Sequence, residues 1–279
     1  MKRIIAALFL LLIGIGVLGY PTLSNYLAEK NGSYALDTYE KAIKKQNSEQ
    51  LKEEWAKAES FNANLSNNMI QDPFAEGPKT AAQNQYYAVL NVNKMMGKLE
   101  IPKIKVAMPI YHGTSEKTLS RGIGHLEGSA LPIGGAGTHS VLTGHTGLTS
   151  GKLLTDLTEL KNGDLFYVTV LDKILAYKVD QVKVVLPDQT EDLKPIPSED
   201  HCTVVTCTPY GVNSHRLLVR GIRTEYIAEE KENIQPIKNS HTDQKLLLVA
   251  FCTTGVMILL VGIRLILLYR GKKREEKRS

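Results

Sequence analysis

Cysteine is scarce: three residues in a chain of 279. Cys252 lies within a long apolar run, which leaves Cys202 and Cys207, five positions apart in one extended segment. An extended chain rises about 3.3 Å per residue, so their α-carbons would stand about 16 Å apart, and the odd spacing puts them on opposite faces. A bridge needs less than about 7 Å. No disulfide is therefore expected in this region, and its stability must come from a packed core. No C-x-x-C and no H-x-x-x-H pair occurs, so a zinc site is not expected and no metal or cofactor is assigned. No basic stripe interleaved with aromatics is present, which argues against a nucleic-acid partner. Internal repeats and low-complexity tracts are missing too, which excludes a repeat architecture.

Charge is missing from two stretches. "IIAALFLLLIGIGVLGY", Ile4 to Tyr20, holds none, and "LLLVAFCTTGVMILLVGIRLILLY", Leu246 to Tyr269, holds only Arg264 near its end, where it can snorkel. The second is long enough to span a bilayer with some tilt, and the first is near the lower limit of about 17 residues. No small-residue cleavage site follows the first, so it reads as an uncleaved anchor rather than a signal peptide. Lys2 and Arg3 precede the first stretch, and "RGKKREEKRS" follows the second. The positive-inside rule then places both termini in the cytoplasm and the intervening chain outside the cell. Of 34 basic and 29 acidic residues, nine basic and two acidic ones lie at these tips. The remainder, 25 basic against 27 acidic, is close to neutral, so the basic balance reports topology and a lipid bilayer as partner.

The organisation expected is an anchor at 1–20, a helical collar at 21–65, a loop at 66–80, a β-domain at 81–225, a juxtamembrane linker at 226–245, a membrane helix at 246–269 and a basic tail at 270–279. In the collar, Leu51, Trp55, Ala58, Phe61 and Leu65 recur at helical spacing, with Asn47 or Ser48 as cap. The loop "SNNMIQDPFAEGPKT" is long for a connector, and long loops often serve as lids or binding loops. Within it Asp72, Pro73 and Phe74 place an aromatic at a tip. Short β-branched segments follow: "AVLNV", "KLEIPKIKVAMPIY", "THSVLTGH", "LFYVTVL", "LAYKVDQVKVVL", "CTVVTC" and "RLLVRGI". A hairpin is expected at Asp172-Lys173. One helix is expected in "GKLLTDLTELKNGD", stopped by Gly163. Many short strands and little helix predict a mainly β domain, a closed barrel or a sandwich.

The chemistry gathers around "TVVTCTPYGVNSHRLLVRG". Cys207 ends one strand and Arg216, nine residues later, begins the next. If the two strands pair, thiol and guanidinium meet at one end of the sheet. Arginine there would lower the thiol pKa from about 8.5, and could hold an oxyanion. A packed core thiol and a surface arginine are the bland alternatives. A thiolate enzyme also needs a proton carrier. His112, His125, His139 and His145 all lie near strand ends or turns, and the pattern alone does not choose between them. His145, though, repeats on its strand the position that Cys207 has on its own.

These residues resemble the sortases, membrane-tethered cysteine transpeptidases of Gram-positive surfaces. The likeness rests on "TVVTC" with "RLLVRG" nine residues on, and on "LTGH" before them; Val204 stands where leucine is usual. "LEIPKI", "MPIYHGTSEKTLSRGIGHLEGSALPIGGAGTHSVLTGHTGL", the second membrane segment and the Asp72-Pro73-Phe74 loop are similar to the class C, pilus-assembly sortases. The resemblance implies a closed eight-stranded β-barrel with N-terminal helices. It implies Cys207 as nucleophile, His145 as acid and base, and Arg216 as oxyanion holder. Thr206 and Thr208 flank the nucleophile and are candidates to support it by hydrogen bonds, with packing the favoured reading for Thr206. Asp72 would face Arg216, and Phe74 would cover Cys207 as a lid. His125 and His139 read as structural. The substrate would be a pilin bearing an LPxTG-like sorting signal, joined through a lysine isopeptide bond by a monomeric catalytic domain. A wall-anchoring sortase using a peptidoglycan-precursor amine is the alternative, and a non-catalytic extracellular binding domain the third reading.

Overall fold

The computed structural model describes residues 2–65, 72–74, 83–148 and 151–234, with Gly255, Gly262 and Arg264 beyond them. The chain divides into two units, Met1–Gly19 with Ile237–Ser279, and Tyr20–Pro236. Most of the expected membrane helix at 246–269 and all of the basic tail lie outside the described residues. Among the described residues no helix is long and apolar enough to cross a membrane.

Among the described residues ten strands follow in chain order: β1 (Gly97–Ile101), β2 (Val106–His112), β3 (Ile123–His125), β4 (Thr138–Thr143), β5 (Thr146–Leu148), β6 (Gly151–Leu153), β7 (Leu165–Val170), β8 (Lys173–Val185), β9 (Asp200–Thr208) and β10 (His215–Thr224). Eight of them close a barrel in the order β1-β2-β3-β4-β9-β10-β8-β7, and β5 pairs with β6 apart from it. The eight-stranded barrel expected from the family resemblance is therefore present. Closure leaves no long free edge. The barrel is antiparallel except where β2 meets β3 and β4 meets β9. β9 lies between β4 and β10, which explains why seven of its nine residues are buried.

Among the described residues the helices are α1 (Lys2–Lys45), α2 (Ser48–Ala63), α3 (Gln83–Ala88), α4 (Glu116–Leu119) and α5 (Ala228–Asn233). Asn47 caps α2 in a reciprocal box with Gln50. The α2 stripe is laid against the protein, with Ala58 fully buried and Leu51, Trp55, Phe61 and Leu65 half-buried. Polar clasps join these helices to the barrel side. Asn62 exchanges two hydrogen bonds with the Leu131 backbone, and Glu54 accepts from Leu90 N–H at 2.7 Å. Tyr39 donates to Met96 O and accepts from Leu171 N–H.

Three local expectations are corrected. "AVLNV" is not a strand: α3 ends in it, Leu90 turns at φ 54°, and Asn93-Lys94, both at positive φ, form a tight turn joined by a Val92–Met95 bridge. "GKLLTDLTELKNGD" is not an α-helix. Its start is drawn into β6 against β5, and Thr155–Glu159 is a 3₁₀ turn. The buried residues there are Leu154, Leu157 and Leu160, spaced by three, which suits three residues per turn. Gly163 accordingly stops no helix; at φ 96° it donates its N–H to Val179 O, leading into β7. The β7–β8 hairpin turns at Leu171-Asp172, because Val170 pairs with Lys173, one residue before the expected position.

Candidate active site

Cys207 is the last but one residue of β9, and Arg216 the second of β10. The two strands pair antiparallel with Cys207 directly opposite Arg216. Opposed residues share a face with Cβ atoms about 4.5–5.5 Å apart. The intervening loop is tied by N–H groups of Val212 and Asn213 on Pro209 O, and turns through Gly211 and Asn213 at positive φ. Thr208, the last residue of β9, is paired across to His215.

His145 arrives from another direction. β4 runs parallel to β9 with Thr143 beside Val205, and Gly144 N–H donates to Val205 O at 3.1 Å. Two residues further in that register, His145 comes level with Cys207. Thr206 and Thr146 lock the two strand ends. Thr206 Oγ1 bonds Gly144 O at 2.8 Å, Thr146 Oγ1 bonds Cys207 O at 2.7 Å, and the two hydroxyls touch each other. Two hydroxyl protons thus serve three oxygen contacts, with Thr206 buried. Thr146 was not singled out from the sequence, since a threonine after a strand has no distinguishing pattern.

Asp72, Pro73 and Phe74 lie over this strand end. Arg216 donates through Nε to Asp72 Oδ1 at 2.8 Å and through Nη2 to Oδ2 at 2.6 Å, a bidentate, largely buried pair. Its Nη1 donates to the carbonyls of Asn213 and His215. Pro73 is buried. The Phe74 ring centroid lies 4.8 Å from Arg216 Cζ and 5.8 Å from the His145 ring. Phe74 also packs on an apolar patch that includes Val141, Val185, Val205 and Leu218. The three chemistry-bearing groups and the expected cover are therefore in one place.

The charges oppose each other. Burial pushes the Cys207 thiol above its ordinary range; Arg216 pulls it down and Asp72 pushes it up again. The hydrogen bonds that Arg216 donates to Asp72 hold its guanidinium still more firmly protonated. In this arrangement the Asp72 carboxylate occupies the Arg216 guanidinium. Cys202, on the same strand, is a free and fully buried thiol pushed far up by burial.

One further residue touches the site. Glu116, the first residue of α4, places Oε2 3.1 Å from His145 Nε2. No motif pointed to it, because it lies 29 residues away in a short exposed helix. Among the other histidines, His112, His125 and His139 are buried and hydrogen-bonded to backbone carbonyls of Val89, Ala130 and Lys194. Among the described residues no cluster suited to a metal ion is found.

The sortase domain model matches residues 99–224, the barrel itself. Sortase C-1 of Actinomyces oris has a similar structure, with a TM-score of 0.61 and 48% identity over 62% of this chain and 98% of its own. The chain belongs to the sortase family. Sortase C of Streptococcus pneumoniae, described in terms of its pilin substrate specificity, superposes with a TM-score of 0.65 at 42% identity over 70% of this chain and 98% of its own. The sortase A of Bacillus anthracis is 26% identical over 217 residues, 78% of this chain and 92% of its length. Both of these solved relatives are sortases C, and the class C likeness read from the motifs holds. Sortases are cysteine transpeptidases, and this sortase is one.

Proposed function

We propose that this sortase joins pilin subunits, with Cys207 as nucleophile, His145 as acid and base and Arg216 as oxyanion holder. The register that sets Cys207 opposite Arg216 carries the reading, because it aligns thiol and fixed cation at one strand end. The substrate is an LPxTG-like sorting signal. The Cys207 thiolate attacks the carbonyl carbon between threonine and glycine. Electron density moves onto the carbonyl oxygen, where Arg216, a cation that cannot lose its proton, balances it. As the C–N bond breaks, His145 protonates the departing glycine amine and a thioester remains. A pilin lysine amine then attacks the thioester, His145 takes its proton, and Cys207 leaves as the thiolate as the isopeptide bond forms.

Asp72, Pro73 and Phe74 act as a lid on this chemistry. With Asp72 on Arg216, the oxyanion has no counter-charge, and the buried Cys207 is held as thiol. Lid opening removes Asp72 and rehydrates the cleft, and both changes favour the thiolate. Thr206, with Thr146, keeps the two strand ends in step; Thr208 begins the turn that returns to Arg216. The catalytic domain works outside the cell as a monomer. Two membrane segments, 4–20 and 246–269, hold it with both termini in the cytoplasm, in keeping with the membrane association general to sortases.

The test uses the full-length protein in membranes. Incubation with sorting peptides should leave an acyl adduct on Cys207, detectable by mass spectrometry, and produce high-mass ladders with pilin. Cys207→Ala should lose both while remaining folded and at the membrane. Ladders of normal length from that variant would overturn the assignment. Transfer to peptidoglycan-precursor amines with no transfer to pilin lysine would favour the wall-anchoring reading.

A further inference from the structure

The contact between Glu116 and His145 is unexplained by lid, barrel packing or the three-residue site. Glu116 side chain is 73% exposed, whereas His145 is 17% exposed, so the carboxylate reaches inward from the surface to the ring. Its base is well fixed. Ser115 caps α4 by accepting from Thr118 N–H, the Leu119 side chain is buried, and Thr118 Oγ1 donates to His112 O. Leu119 in turn packs so closely on β3 that a Cβ at Gly124 would come within 2.9 Å of it. A four-residue helix with these three anchors presents Glu116 from one position.

A carboxylate accepts hydrogen bonds and donates none when ionised. The proton between Glu116 Oε2 and His145 Nε2 must therefore sit on Nε2. In the neutral imidazole one nitrogen carries hydrogen and the other does not, and the partner of one decides the state of the other. We propose that Glu116 is a positioning residue: it holds His145 in the Nε2–H tautomer and fixes the ring plane, leaving Nδ1 as the nitrogen that gives and takes the catalytic proton. The inference rests on His145 being the proton carrier. It adds that the carrier is oriented by a carboxylate on α4, a third group behind thiol and imidazole. Glu116 touches neither substrate nor thiol; it acts through His145.

The geometry sets the size of the effect. One exposed hydrogen bond contributes modestly, so its loss should cost about 3- to 10-fold in rate. It should appear in kcat, because the ring is misplaced during proton transfer, and not in KM.

The experiment compares Glu116→Ala, Glu116→Gln, His145→Ala and Lys117→Ala in the full-length protein, using a sorting peptide and a lysine-bearing acceptor. Lys117, exposed on the same helix, controls for any general disturbance of α4. Glu116→Ala should lower kcat about 3- to 10-fold with KM within about 2-fold, and Lys117→Ala should match the wild type. Glu116→Gln retains a carbonyl oxygen that can accept from Nε2 and should recover part of the loss. In ¹⁵N-histidine-labelled protein the signals missing from His145→Ala identify that ring. They should report a protonated Nε2 in the wild type and a mixture of tautomers in Glu116→Ala. Wild-type kcat and an unchanged tautomer in Glu116→Ala, with His145→Ala inactive, would overturn the role of Glu116 alone. A faster Glu116→Ala would overturn it too, showing that the carboxylate parks the ring away from the thiol. Full activity in His145→Ala would overturn the underlying site assignment instead.

Discussion

At the level of single residues, the site is governed by one competition. The oxyanion proposed to be held by Arg216 would need the cation that Asp72 engages through two short charge-assisted bonds. Asp72 also raises the Cys207 pKa, in the same direction as burial. Removing the carboxylate should therefore lower the thiol pKa, and removing Phe74 should take away the cover on the cleft. A contact of about 1–3 kcal/mol corresponds to a change of about 5- to 150-fold in the open population. Asp72→Ala combined with Phe74→Ala is expected to speed modification of Cys207 by a small thiol reagent within that range. The labelling curve should also move to lower pH. An unchanged rate and midpoint would mean that the Asp72-Pro73-Phe74 segment does not restrain the thiol.

Among elements, the join between β4 and β9 matters most. β4 leads two residues on to His145, β9 carries Cys207 near its end, and two threonine hydroxyls tie these strand ends together. Thr206→Val keeps shape but removes a hydroxyl from a buried position. Leaving the Gly144 carbonyl without that partner should cost about 1–3 kcal/mol, read as a lower urea midpoint at an unchanged slope. Thr206→Ser should restore most of it. If valine is as stable as threonine, the hydroxyl tie contributes nothing and packing alone sets the strand ends. The same scale shows where pattern reading falls short. Strands β7 to β10 are legible because β-branched residues run through them. The three-residue β3, β5 and β6 are not, since their pairing partners rather than their own sequence select the extended state.

For the whole molecule, the buried histidines connect folding to pH. His125 and His139 are both pushed down to about 4, chiefly by burial, and each ring is committed to hydrogen bonds in the core. Both are neutral in the folded protein near pH 6, whereas the unfolded chain titrates near 6.5. The unfolded state therefore binds more protons as pH falls from about 6.5 towards about 4, and stability is lost across that window. Each should cost about 2 kcal/mol between pH 7 and pH 5. Urea unfolding of the full chain at pH 7, 6 and 5 should show the decline, and His139→Gln should flatten part of it. Equal stability at pH 7 and pH 5 would mean that these rings are accessible to protons in the folded state.

The sequence by itself determined a great deal about this protein. Periodicity alone separated the helical start from the β-rich middle, and the cysteine spacing excluded a bridge between Cys202 and Cys207. The motif around Cys207 and Arg216, with "LTGH" before it, carried the family. These features are local or nearly so: a nine-residue hairpin sets its own register, and neighbouring residues suffice to read it. What only the tertiary structure decided is separated along the chain. Glu116 meets His145 across 29 positions, and Thr146 meets Cys207 across 61. Barrel closure and helix docking bring those groups together, and no periodicity in a strand or helix encodes a partner that lies on another element.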